Sequence, residues 1–121
     1  MLTRTQLIGL LRSLSPSVPQ YNITINAVAP WMTDTPLDQP AHRRILSECN
    51  IELNDPENVG RAMAYLAGSG VNGQSLWCGR NVFVEVEKSI TELKPKWLGE
   101  ENARLWETAN KQDFFENKSG L

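Results

Sequence analysis

The residues best suited to chemistry sit in one stretch, between Trp31 and Cys49. It carries Trp31, Met32, Thr33, Asp34, Thr35, Asp38, His42, Arg43, Arg44, Glu48 and Cys49. His42 is the single histidine of the chain, and an imidazole titrates near neutrality, so it can both take up and release a proton. Asp34 and Glu48 are the carboxylates able to orient such a base or to act as one. Trp31, Met32, Thr33, Thr35 and Arg43 are the candidate substrate-binding residues, with Arg43 able to grip an anionic group. An aromatic wall with a few carboxylates and one imidazole suits proton transfer on a small apolar metabolite: isomerisation, dehydration, epimerisation or cyclisation. Each residue also has a plainer meaning. His42 can be an exposed helix-face residue. Asp34 can be a turn residue or cap in its Thr-Asp-Thr-Pro context, and Arg43-Arg44 a solvated helix face. Cys49 and Cys78 read as small buried hydrophobes unless a base stands beside them. One histidine and no CxxC pair leave no basis for a metal site.

Composition narrows the setting. The 121 residues are one domain's worth of chain, 40% hydrophobic and 21% charged, as in an ordinary soluble globular protein. Twelve basic against fourteen acidic residues give a formal charge of -2, which offers no electrostatic footprint for nucleic acid. The longest apolar run, Leu7-Ile8-Gly9-Leu10-Leu11, is far short of a bilayer crossing. Two cysteines are too few for a disulfide framework and the N-terminus has no secretory pattern, so a reduced, cytoplasmic chain is expected. Four tryptophans are many for this length, and most are expected in a core or an interface.

Certain elements must position the loop. Leu7, Leu10, Leu11 and Leu14 recur at helical spacing after Thr3 and Thr5, either of which could cap a first helix within residues 1–17. Ser15-Pro16 ends it. Residues 21–30 contain Ile23, Ile25, Ala27 and Ala29 in alternation, closed by Pro30: a strand. The breaker-rich loop 31–54 holds a short helix near Ala41–Cys49. Asp55-Pro56-Glu57 starts a helix that runs to Gly68. An extended region follows over 74–87, in which Val82–Val86 is either a hairpin partner or an extended connection. Pro95 separates a linker from a last helix, about 99–112, within a C-terminal segment 96–121 whose tail looks loose. Alternating helix and strand argue for a parallel α/β unit. Two parallel strands alone are too few to bury a core.

"LIGLLRSL" (7–14), "NITINAVAPWMTDTPL" (22–37) and "DPENVGRAMAYLAGSGVNGQSLW" (55–77), in that order, resemble the C-terminal half of a short-chain dehydrogenase/reductase. "VEVEKSI" and "PKWLGEENARLWE" resemble its fungal branch similar to 15-hydroxyprostaglandin dehydrogenases. The resemblance implies a truncated Rossmann-like fold, the second half of a doubly wound parallel sheet. It also implies what this sequence does not carry. The family's glycine-rich dinucleotide turn is not present. Counting back from Gly9, the catalytic tyrosine falls one residue before Met1, and the lysine position is Arg4, a non-conservative change. Trp31 stands where a glycine lets the backbone approach nicotinamide, while Thr33 and Thr35 occupy positions that contact carboxamide or phosphate. The expectation is therefore a protein without a nicotinamide cofactor, a non-redox isomerase, cyclase or dehydratase of secondary metabolism. The alternatives are a non-catalytic remnant that binds a partner protein, and an oxidoreductase fragment that needs its cofactor-binding half. In the family the neighbouring strand covers the one at 21–30. An exposed edge there, together with the first helix, leads us to expect a homodimer that completes the sheet.

Overall fold

The computed structural model describes residues 3–37 and 39–111. Asp38, the tail expected after the last helix and the Arg4 side chain lie outside the described residues. The chain divides into two units, one ending at Glu87 and the other beginning at Lys88.

The first unit opens with α1 (Arg4–Leu14). Thr3 caps it: the Gln6 N–H donates to the Thr3 hydroxyl (3.3 Å) and the Thr3 N–H to Gln6 Oε1 (2.6 Å), a reciprocal capping box. Leu11 is buried, whereas Leu7, Leu10 and Leu14 stay exposed. A 3-10 turn (Val18–Tyr21) ends at Asn22 in the left-handed region, φ 56°. The alternating pattern from Ile23 onward is extended, but its ladder begins only at Ala27. Before that point a side chain substitutes for a strand: Asn72 Oδ1 accepts the Ile25 N–H (2.9 Å), and Asn72 Nδ2 donates to the Ser15 carbonyl (2.6 Å).

Strand β1 (Ala27–Pro30) then pairs in parallel with β2 (Ser75–Gly79), from Ala27 opposite Ser75 to Pro30 opposite Cys78. Between them lie α2 (Pro40–Glu48) and α3 (Pro56–Gly68). The Val82 segment is a hairpin partner: β3 (Val82–Glu85) runs antiparallel to β2, with Gly79 opposite Val82. Arg80 and Asn81 form the two-residue turn, both at positive φ (51° and 57°), the type I′ geometry that matches strand twist. Strand order is β1-β2-β3, an α/β arrangement with the parallel crossover of a partial Rossmann-like sheet.

One sheet face is closed by α3. Ala62 and Leu66 of the helix meet Leu76 and Cys78 of β2, with Val28, Val59 and Val71 packed around them. Each buried leucine contributes about 1.5–3 kcal/mol. On the other face β-parity places Trp77 with Val84 and Gly79 with Val82. The Trp77 ring lies over Gly79, where an added Cβ would stand 2.6 Å from an indole carbon.

The second unit is helical. Helix α4 (Glu87–Glu92) starts at the boundary, α5 (Lys94–Leu98) follows, and α6 (Glu100–Lys111) is the last described helix. Pro95 occupies the second position of α5, where its missing N–H costs nothing. Gly99, at φ 89°, breaks the chain between α5 and α6. Trp97 Nε1 donates to the Ile90 carbonyl (3.3 Å), and Lys94 Nζ lies 5.3 Å from the Trp106 ring centroid. Among the described residues, no helix is long and apolar enough to cross a membrane.

Candidate functional site

The loop between β1 and α3 leaves the sheet at the carboxyl ends of β1 and β2, where open α/β sheets bind ligands. The Trp31 N–H donates to the Cys78 carbonyl (2.8 Å), which extends the ladder by one residue. Met32, at φ 39°, then turns the chain off the strand. The Trp31 ring packs against Trp77, centroids 5.8 Å apart and planes tilted by 37°.

The neck of the loop is a parallel bridge between Thr33 and Asn54. The Asp34 N–H donates to the Asn54 carbonyl and the Asn54 N–H to the Met32 carbonyl, both at 2.8 Å. The Asn54 side chain, fully buried, locks this neck to the hairpin turn. Its Oδ1 accepts from Asn58 Nδ2 (2.9 Å) and the Asn81 N–H (3.1 Å), and its Nδ2 donates to the Thr33 hydroxyl (3.3 Å). Asn58 Nδ2 also donates to the Val82 carbonyl (3.0 Å), and Asn81 Oδ1 accepts the Asp55 N–H (2.7 Å). Asp55 occupies the N-cap position of α3 with no side-chain cap bond. Three asparagines thus join loop, helix start and hairpin. Sequence reasoning missed this network, whose one local sign is the polar run Asn54-Asp55-Pro56-Glu57-Asn58.

The candidate acid–base groups are distributed around α2. Asp34 forms an ion pair with Arg43, whose guanidinium also donates to the Thr35 carbonyl (3.0 Å). Arg43 therefore ties the start of the loop to the first turn of α2. Glu48 pairs with Arg44 one helical turn away (3.0 Å), both well exposed. His42 is exposed, and among the described residues no bond holds its imidazole. Six residues separate His42 from Glu48, about 9 Å along the axis and about 120° around it, so the two do not converge. The Thr33 hydroxyl is taken up in the neck; Met32 is exposed, and Trp31 and Thr35 are half-buried. Burial pushes the Cys78 thiol pKa up, which keeps it neutral and unreactive, while Cys49 is exposed. Among the described residues no group of three His, Cys, Asp or Glu side chains could hold a metal ion. The larger of the two most pronounced concavities, about 640 Å³, lies beside β1 and α3, away from His42 and Asp34.

Curated relatives resemble most of the chain. It is 29% identical to the short-chain dehydrogenase/reductase prx4 of Penicillium roqueforti over 84% of its own length and 37% of the relative's. The prx4 protein of Penicillium rubens matches to the same extent. Identity to the short-chain dehydrogenase/reductase ATR7 of Stachybotrys chlorohalonatus is 31%, over 82% of this chain and 38% of that one. The chain thus spans less than two-fifths of these relatives' length. No family model matches it, and no solved structure matches it significantly.

Proposed function

We propose, from the premise that this chain is a partial short-chain dehydrogenase/reductase, that it retains the family's substrate loop and uses it without hydride transfer. Its ligand is a small apolar metabolite, and its chemistry is proton transfer of the isomerase, cyclase or dehydratase type. The observation that supports this reading is the rigid neck of the loop. The buried Asn54 network fixes Trp31, Met32 and the Asp34–Arg43 pair at the carboxyl end of the sheet. Within this reading Trp31 and Met32 supply apolar contact, the Asp34–Arg43 pair anchors a polar substituent, and His42 carries the proton. Glu48, drawn away by Arg44, has no part in it.

The test replaces the chain in its host by the His42→Ala and Asp34→Ala forms and measures the small-molecule profile. Loss of general acid–base catalysis lowers product about 10²–10⁴-fold for His42→Ala. A nicotinamide-cofactor titration followed by quenching of Trp31 and Trp77 complements it, and saturable micromolar binding would overturn the cofactor-free reading. A second reading, a non-catalytic protein that binds a partner, draws support from the position of a pronounced groove beside β1 rather than at His42. An unchanged profile in both variants selects it.

A further inference from the structure

Helix α2 carries a hydroxyl that neither the fold nor the proton-transfer reading uses. Ser47 is exposed in the last turn of this nine-residue helix, and among the described residues no bond engages its side chain. The helix is held by little. Leu46 is its one buried residue, and a segment this short does not keep its last turn closed on propensity alone. Ser47 can therefore be drawn into the extended form in which a modifying enzyme takes up a side chain.

What surrounds it is basic. Arg44 and Arg43 stand three and four residues before Ser47, which puts all three on one side of the helix. No other serine or threonine of the chain has two arginines in the four residues preceding it. Helical side chains lean towards the N-terminus, so a group attached to the Ser47 oxygen lies over the turn from which both guanidinium groups project. In the unmodified chain both are engaged. Arg44 pairs with Glu48 (3.0 Å), and one-turn pairs as exposed as this one contribute little. Arg43 holds the Asp34 carboxylate and donates to the Thr35 carbonyl (3.0 Å), with both charged side chains partly in water.

We infer that Ser47 is a phosphorylation site, modified by an arginine-directed protein kinase, and that its phosphate draws Arg43 away from Asp34. Paired arginines just ahead of the hydroxyl are a charge pattern that an acidic kinase cleft reads. In the transfer the Ser47 oxygen attacks the γ-phosphorus of ATP. A P–O bond to serine forms as the bond to the oxygen bridging the β-phosphate breaks, ADP leaves, and the hydroxyl proton passes to the kinase's aspartate. The product carries about two negative charges and three strong acceptors. Near a helix C-terminus and beside Glu48 that charge is unfavourable unless cations meet it. Arg44 meets it by giving up a weak surface pair. To Arg43 the phosphate offers more charge and more acceptors than the Asp34 carboxylate does. The start of the loop then loses its tie to α2, and Asp34 is released. The bridge between Thr33 and Asn54 is untouched, because other groups make its bonds. The inference rests on the proton-transfer reading for its consequence alone, the release of a residue of that site; phosphorylation and the exchange of partners are read without turnover.

The test treats the full chain with ATP and the catalytic subunit of cyclic-AMP-dependent protein kinase, and locates the phosphate by mass spectrometry. Ser47 is expected to be modified, and Arg44→Ala, which removes one exposed surface pair, to slow the reaction at least about 10-fold. Nuclear magnetic resonance reads the exchange of partners. The Asp34 carboxyl signal of the phosphorylated chain should move to the position it has in unmodified Arg43→Ala, while the Asn54 and Asn81 backbone amide signals stay in place. Ser47→Ala, treated in the same way, should show no movement. A Ser47 that the kinase leaves unmodified overturns the site. Phosphate on Ser47 with the Asp34 signal unmoved overturns the exchange, and so does movement that includes Asn54 and Asn81, which marks loss of the whole loop rather than of one pair. If phosphorylation and the Asp34 shift are both seen while His42→Ala leaves the small-molecule profile unchanged, this inference stands and the proton-transfer reading alone falls.

Discussion

Removing the Asn54 side chain has a consequence that can be worked bond by bond. In Asn54→Ala, Asn58 Nδ2 keeps its bond to the Val82 carbonyl, but its second hydrogen loses its acceptor at a site where Asn58 is only 2% exposed. An orphaned buried donor costs about 1–3 kcal/mol. The Asn81 N–H loses its acceptor too, but Asn81 is exposed and water replaces part of the bond, so about 0.5–1 kcal/mol is lost there. The Thr33 hydroxyl loses a donor yet keeps its contact to the Trp31 carbonyl, a further ~0.5 kcal/mol. The total is about 2–4 kcal/mol, a large fraction of the stability of a chain this size. Urea unfolding followed by tryptophan fluorescence measures it. Adding Asn58→Ala removes the orphaned amide, so the double variant should be more stable than the sum of the single losses by about 1 kcal/mol. A loss below about 0.5 kcal/mol in Asn54→Ala, or strict additivity of the pair, would refute the network as the fastener of the loop.

Other substitutions test neighbouring parts of the molecule. Gly79→Ala drives a methyl group into the Trp77 ring, so stability should fall by about 1–3 kcal/mol and the near-ultraviolet circular dichroism of the Trp31–Trp77 pair should change. Folding raises the Cys78 thiol pKa above its ordinary 9.0, so that contribution is intact below pH 9.0 and lost as pH rises beyond it; stability-versus-pH curves should show this alkaline decline, and Cys78→Ala should flatten it. A thiol reagent should accordingly label one cysteine, Cys49, in the folded protein and both in urea. Glu87→Gln breaks the two-point pair with Arg12 (2.8 and 3.1 Å) and should cost about 0.5–1 kcal/mol in unfolding assays, less at high salt because Arg12 is half exposed.

Local signals were legible where they were dense. The leucine spacing of α1, the Asp55-Pro56-Glu57 start of α3 and the apolar run of β2 correspond to observed elements because propensity and periodicity agree there. The same spacing does not say where the leucines pack: Leu11 is buried, while Leu7, Leu10 and Leu14 are exposed. Ile23 to Ala29 alternate without a break, and nothing in that alternation marks Ala27 as the start of pairing. The cause is a distant side chain, Asn72. Pro95 reads as a breaker between linker and helix, although proline at a second helical position is compatible with the short α5. The loop bearing Trp31, Asp34 and His42 was identifiable from residue types, but its fastening was not. Asn54 and Asn81 are 27 residues apart, and no periodicity links amides that meet only through folding.

Asn72 is followed by Gly73, the pairing in which the next backbone nitrogen most readily attacks an asparagine side chain, expelling ammonia to give a cyclic imide that water opens to isoaspartate or aspartate. In the folded chain that nitrogen is engaged with the Ile25 carbonyl, and the amide itself is held between Ile25 and Ser15. Cyclisation must therefore wait for the segment to open. Once it has occurred, a carboxylate oxygen faces the Ser15 carbonyl where an N–H stood, and the end of α1 loses its tether. The tie that joins the first helix to the sheet is thus also a slow chemical clock, and the isoaspartate or aspartate it leaves records how often the fold has let go.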